Sequence, residues 1–217
     1  MGDIKYSLIG KTYVYSNEEF EFYREAEVAV QGDWDRQNSV QKSFKSNIKQ
    51  LYYRDQKERC AFCRKIINLN GHYEHLEHIA SKDTYPSWAF HPKNLVVACA
   101  PCNGAKWTAE TLVAGYNLSE YPIRAIDFVT LNPHFENWHQ HLKLKSGLFF
   151  IAKTVKGLKT IKAYDLTRGD VMHHHFKFKR ISKDSLTKKA AKLAYEVNPN
   201  SKTYGFVLDS LNAILDG

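Results

Sequence analysis

Two identical cysteine pairs limit what this chain can fold into more than any other feature. Cys60-Ala-Phe-Cys63 and Cys99-Ala-Pro-Cys102 are both Cys-x-x-Cys, and together they use every cysteine in the sequence. Thiolates three positions apart reach the same ion, so two such knuckles supply the four soft ligands of one tetrahedral zinc. Four thiolates close the coordination sphere, which makes that zinc structural rather than catalytic. The knuckles are separated by 35 residues, more than a compact zinc finger needs. The excess implies that something useful is held between the clamps. Disulfides are the alternative use of four cysteines, and they suit an oxidising compartment.

Nothing else points to such a compartment. Met1-Gly-Asp-Ile-Lys-Tyr6 lacks the charged-then-apolar layout of a secretory signal, and there is no apolar run long enough for a membrane span. A cytosolic protein that binds no membrane is therefore expected. The 217 residues suffice for a real core in one domain or two. The net charge of +8 is uneven: residues 1–60 carry ten basic and ten acidic side chains, and residues 61–217 carry 21 and 13. A basic half suits a polyanionic partner, although basic surfaces also serve solubility alone.

Local signals give the organisation. Ser16-Asn17-Glu18-Glu19 reads as a helix start, with the helix running to about Val30 before Gly32-Asp33. Ser39 opens a second helix, in which Val40, Phe44, Ile48, Leu51 and Tyr52 recur at helical spacing. A strand is expected from His72 to Ile79, a short buried strand or turn over Leu95–Ala98, and a helix from Thr108. Residues 124–181 read as β-rich: a strand over Ile126–Leu131, a hairpin from Leu142 to Ile151 turning at Ser146-Gly147, and a strand from Thr160 to Tyr164. Helices at Ser185–Tyr195 and Tyr204–Leu215 close the chain. The expected fold is α+β, with an N-terminal helical region at 1–56, a knuckle-bearing core at 57–116 and a β-rich, helix-ended region at 117–217.

The enclosed residues are types that hydrolyse phosphodiesters with a divalent metal. His78 can take a proton from water at neutral pH. Glu77 offers a hard oxygen to Mg²⁺ or Mn²⁺, and Asn103 offers an amide oxygen to the same ion. Asn94 can bond backbone groups and fix the loop carrying the base. Lys106 can meet a phosphate as a point charge. Strict strand alternation puts Glu77 and His78 on opposite faces, so a shared site needs the strand to end or twist there.

The block Cys-x-x-Cys … Glu77-His78-Ile79 … Asn94-Leu-Val-x-Ala-Cys-x-x-Cys-Asn103-x-x-Lys106 resembles the HNH endonuclease family, which has a ββα-metal (His-Me finger) core. The resemblance covers residues 60–106. It implies that His78 is the general base, Asn94 the middle letter of the motif, and Asn103 the third letter, where many members have His. It further implies DNA cleavage that leaves 3′-hydroxyl and 5′-phosphate ends. Glu77 stands where Asp is frequent. A looser resemblance links Leu76–Ile79, Tyr85-Pro86, Leu131–Phe135 and His141-Leu142 to Septu-type bacterial HNH proteins, found with ATPases or retrons in anti-phage systems. Ile79-Ala-Ser-Lys82 departs from the Phe-Arg-Pro-Lys usual in that group.

Plainer readings stand beside these. A zinc module that binds nucleic acid without cutting explains the cysteines, but not Glu77, His78, Asn94 and Asn103 together. An accessory subunit for an ATPase or sensor protein is compatible with either activity. Trp88 and Trp107 flank the site and suit packing more than base stacking. His72 and His75 suit an exposed strand face more than a metal. Lys177, Lys179 and Arg180, interleaved with aromatic residues after His173, suit a DNA backbone as well as they suit a solvated strand face. Lys188, Lys189 and Lys192 share one helical face beyond them. Cutting both strands needs two active sites or two visits, and no residue points to a dimer.

Overall fold

In the computed structural model, the residues described are 9–25, 32–36, 38–68, 74–107, 109–115, 120–145, 149–169 and 171. The fold is α+β. Helix α1 (Asn17–Glu25) starts where the sequence places it, because Ser16 and Glu19 cap each other. The Glu19 N–H donates to Ser16 Oγ at 3.2 Å, and the Ser16 N–H donates to Glu19 Oε2 at 2.9 Å. The expected continuation to Val30 falls on 26–31, outside the described residues. Helix α2 (Ser39–Asp55) is capped by the Asn38 side chain and buries Gln41, Phe44, Ile48 and Tyr52 along one face.

Strands β1 (Glu74–His78) and β2 (Leu95–Cys99) pair antiparallel, with Glu77 opposite Val96 and His78 opposite Leu95. Every residue of β2 is buried. Helix α3 (Ala100–Lys106) follows β2 without a linker and packs on both strands. The second knuckle and Asn103 therefore lie on a helix, whereas the sequence suggested one starting only at Thr108. Pro101 explains the earlier start: its fixed φ suits a first helical turn, where no N–H partner is needed.

The later segment departs further from expectation. Ile126–Leu131 is no strand: Ala125–Asp127 forms a 3₁₀ turn, and Phe128 makes an isolated bridge with Leu112. Helix α4 (Trp138–His141) leads into β3 (Leu142–Lys145), which pairs with β4 (Phe149–Ala152) as the expected hairpin. Its turn, 146–148, lies outside the described residues. The strand expected over Thr160–Tyr164 belongs to helix α5 (Val155–Ala163) and its end. Thr154 caps that helix by accepting from the Gly157 N–H at 3.1 Å, which overrides the β-branched residues behind it. Gly157 is needed there, since a Cβ at that position would collide with the His141 carbonyl. The helices expected at 185–195 and 204–215 lie outside the described residues.

The chain divides into two compact units, Met1–Lys143 with Ala152–Leu166, and Leu144–Ile151 with Thr167–Gly217. The four cysteines, Glu77, His78, Asn94 and Asn103 all lie in the first. Among the described residues, no helix is long and apolar enough to cross a membrane.

Candidate metal centre and hydrolytic site

The four cysteines converge. Cys60, Cys63, Cys99 and Cys102 are all buried, with their sulfurs within 4.8 Å of one another. Cys63 Sγ and Cys99 Sγ are 3.7 Å apart, far beyond a covalent disulfide. Sulfurs at about 2.3 Å from a tetrahedral zinc stand about 3.8 Å apart, so this donor set fits one zinc ion.

The knuckles are braced from outside. Arg64 takes a left-handed φ of 59° to close the first turn, and its guanidinium donates to the Gln56 and Cys60 carbonyls at 3.0 and 3.3 Å. The Gln56 amide holds the Val97 backbone in both directions, with Nε2 donating to the Val97 carbonyl at 2.8 Å and Oε1 accepting from its N–H at 2.9 Å. Trp138 Nε1 donates to the Phe62 carbonyl at 2.9 Å, and the Tyr164 ring stacks on Phe62 at 3.5 Å between centroids.

Strand β1 ends at His78, so Glu77 and His78 are its last two residues and leave it on opposite sides. Both are buried, against the simple alternation of a half-exposed strand. Glu77 turns towards α3, where Lys106 Nζ lies 2.9 Å from its carboxylate. Burial pushes the Glu77 carboxyl up to about 7, against the opposing pull of Lys106 and the His78 backbone amide.

The His78 Nε2 lies 3.0 Å from the Ala89 carbonyl. A carbonyl only accepts, so Nε2 carries the proton and Nδ1 keeps its lone pair. The Trp34 ring stands edge-on to the imidazole at 4.4 Å. Burial lowers the His78 pKa to about 3, with the neighbouring lysines Lys106 and Lys82 adding to the effect. The ring is thus neutral at pH 7 in a fixed tautomer.

Asn94 is wholly buried and ties two segments together. Its Oδ1 accepts from the Ala80 N–H at 2.8 Å, and its Nδ2 donates to the Ala80 and Trp88 carbonyls at 3.1 and 3.0 Å. One segment leaves β1 just after His78. The other ends in the Ala89 carbonyl that holds the imidazole.

Asn103 is half-buried on α3, one turn before Lys106 and so on the same helical side. Lys106 is only 2% exposed, so its ammonium faces Glu77 instead of an open phosphate site. Trp88 is packed at 4% exposure and stacks on Tyr85, whereas Trp107 is 78% exposed. His75 is exposed. His72, Lys177, Lys179 and Arg180 lie outside the described residues, as do His173 and the lysines at 188, 189 and 192.

Three contributors were not anticipated from the sequence. Trp34 reaches His78 from a segment 44 positions upstream, held by Lys45, which donates to its carbonyl and lies over its ring at 4.4 Å. Gln56 acts through its amide, and Ala89 through its backbone. Residue type flags neither of the last two. A tryptophan between two aspartates at 33 and 35 was a faint signal for the first.

No family model matches the chain. A stretch of 112 residues is 27% identical to a protein of Bacillus thuringiensis described as Septu protein PtuB. That stretch covers 52% of this chain and 38% of the relative, so the match spans well under half of the curated protein.

Proposed function

We propose that this chain is a metal-dependent HNH endonuclease that hydrolyses DNA phosphodiester bonds and acts as the nuclease of a bacterial anti-phage system. The observation that carries this reading is the setting of His78. Its Nε2–H is committed to the Ala89 carbonyl, which leaves Nδ1 as a lone-pair nitrogen on a neutral ring. In this role Nδ1 takes the proton from the water that attacks phosphorus. Asn94 keeps the base and its supporting carbonyl in register. The likeness to Septu protein PtuB supports the defence setting, and an ATPase or sensor partner is part of the same proposal.

Glu77 and Asn103 would hold the catalytic Mg²⁺ or Mn²⁺. Both donors are hard oxygens, which suits such an ion. A bound ion there supplies charge stabilisation for the phosphorane-like transition state and the leaving oxygen. Lys106 holds Glu77 in the meantime and would be released towards substrate when that carboxylate is engaged. The four cysteines would hold a zinc whose closed thiolate shell leaves no position for substrate, and its role would be to fix the start of α3 beside β1.

The same Lys106–Glu77 pair favours a second reading, a catalytically silent zinc-stapled subunit that binds nucleic acid or an ATPase partner. Supercoiled plasmid separates the two. With Mg²⁺ or Mn²⁺ and the products of adjacent genes, the wild type is expected to nick or linearise it, and His78→Ala to lose at least about 100-fold of that rate. Intact plasmid under every metal and partner would leave the silent reading.

A further inference from the structure

We infer that Trp107 is a stacking platform for an unpaired nucleobase, so that the preferred substrate presents a single-stranded or frayed nucleotide beside the site. The inference rests on the nuclease reading and names its substrate more closely.

The indole is 78% exposed, while Trp88 and Trp138 are each 4% exposed. Its backbone makes the exposure harder to dismiss. Trp107 has φ 45° and ψ −119°, a conformation that suits glycine and is strained for a side chain with a Cβ. A residue that needed only to end α3 would cost less there as glycine. The strained turn is also tied down. The Trp107 N–H donates to the Asn103 carbonyl at 3.2 Å, and the Ala109 N–H donates to the Lys106 carbonyl at 2.8 Å. The ring is therefore presented on a braced turn, which lowers the ordering cost of a contact.

The position favours a base over a protein partner. Trp107 directly follows Lys106, which bonds Glu77, and its amide is bonded to Asn103. Gly104 and Ala105, in the preceding turn, are exposed and small, and a Cβ added at Gly104 would meet nothing within 4 Å. A ring that follows two small exposed residues offers a flat face of the kind on which a base stacks. The chain carries a net charge of +8, which favours a polyanion.

The test uses the full zinc-loaded chain carrying His78→Ala, so that substrate is bound without turnover, and a dye-labelled oligothymidine in single-stranded form and as a duplex with oligoadenine. Adding Trp107→Ala is expected to weaken single-strand binding about 10-fold or more, with a smaller effect on the duplex. Trp107→Tyr should restore binding to within about 3-fold, and Trp107→Leu should not, because stacking needs a π-face. Trp107→Gly should unfold no earlier than its parent yet bind as poorly as Trp107→Ala. Equal single-strand affinity in Trp107→Ala and its parent overturns the inference, as does rescue by Leu equal to rescue by Tyr. If the wild type still cuts DNA in that case, only this inference falls. If it neither binds nor cuts nucleic acid with either metal, the nuclease reading falls and takes this one with it.

Discussion

The Lys106 ammonium lies 2.9 Å from the Glu77 carboxylate, and neither side chain exposes more than 7% of its surface. A pair so withdrawn tolerates joint replacement better than loss of one member, because the survivor stays buried without its counter-charge. Lys106→Met alone is expected to cost about 3–5 kcal/mol of stability at pH 8. The cost should be smaller at pH 6, where a carboxyl pushed up to about 7 takes up a proton. Lys106→Met with Glu77→Gln should recover most of the loss. Urea unfolding with zinc saturating checks all three.

The two neighbours at the end of β1 respond to pH in opposite directions. His78 is lowered to about 3 from an ordinary 6.5, so between those values the unfolded chain binds a proton that the folded chain refuses. Its contribution is complete above pH 6.5 and is lost as pH falls. Glu77 is raised from 4.5 to about 7, so the folded chain keeps a proton that the unfolded chain has released. That contribution is complete below pH 4.5 and is lost as pH rises towards 7. Between pH 4.5 and 6.5, Glu77→Gln should make stability rise more steeply with pH than in wild type. His78→Gln should tilt the slope the other way, each by up to about 1.4 kcal/mol per pH unit. Slopes that shift in the same direction would contradict these assignments.

Asn94 spends its whole amide on the backbone at Ala80 and Trp88. Asn94→Ala leaves buried groups without partners, at about 2–4 kcal/mol from the individual hydrogen-bond costs. Asn94→Asp should be worse, since a carboxylate would face two carbonyl oxygens. Thermal unfolding ranks the variants. Plasmid cleavage below the folding midpoint should fall further than the folded fraction, because the Ala89 carbonyl moves with Trp88.

Elemental analysis should find one zinc per chain, and Cys63→Ser or Cys99→Ser should remove it. A strong chelator is expected to unfold β1, β2 and α3 together, since metal binding and folding share one free energy of about 10 kcal/mol or more. Near-ultraviolet dichroism from Trp138 and Phe62 should vanish in step with zinc release.

Gly157→Ala tests a close approach rather than a bond. A Cβ there meets the His141 carbonyl, so α5 must shift away from α4. A loss of about 2 kcal/mol or more is expected in thermal or urea unfolding, within the range that overpacking costs.

What the sequence conveyed, it conveyed through local chemistry. The knuckles, the Ser16–Glu19 cap, the α2 stripe of Phe44, Ile48 and Tyr52, and the short β2 run are all written in neighbouring residues. The expectation for Thr160–Tyr164 failed because β-branched residues suggested a strand, while the decisive feature was Thr154, a cap six positions earlier. The α3 start differs from the expected Thr108 because Pro101 sits in a first helical turn, which a proline tolerates. Lys106 was unreadable for another reason. Whether a lysine meets solvent or a carboxylate depends on which strand packs on its helix, and only tertiary structure fixes that. Trp34 beside His78 is the same kind of long-range fact.

Phe62, inside the first knuckle, is held through its carbonyl by an indole 76 positions downstream and through its ring by Tyr164. Such buttressing has an architectural cost. A fragment cut to residues 57–116 would keep every ligand and motif letter while losing the walls that set their spacing. Shortening this protein, or transplanting its four-cysteine core into a fusion, must therefore carry the chain through at least Leu166.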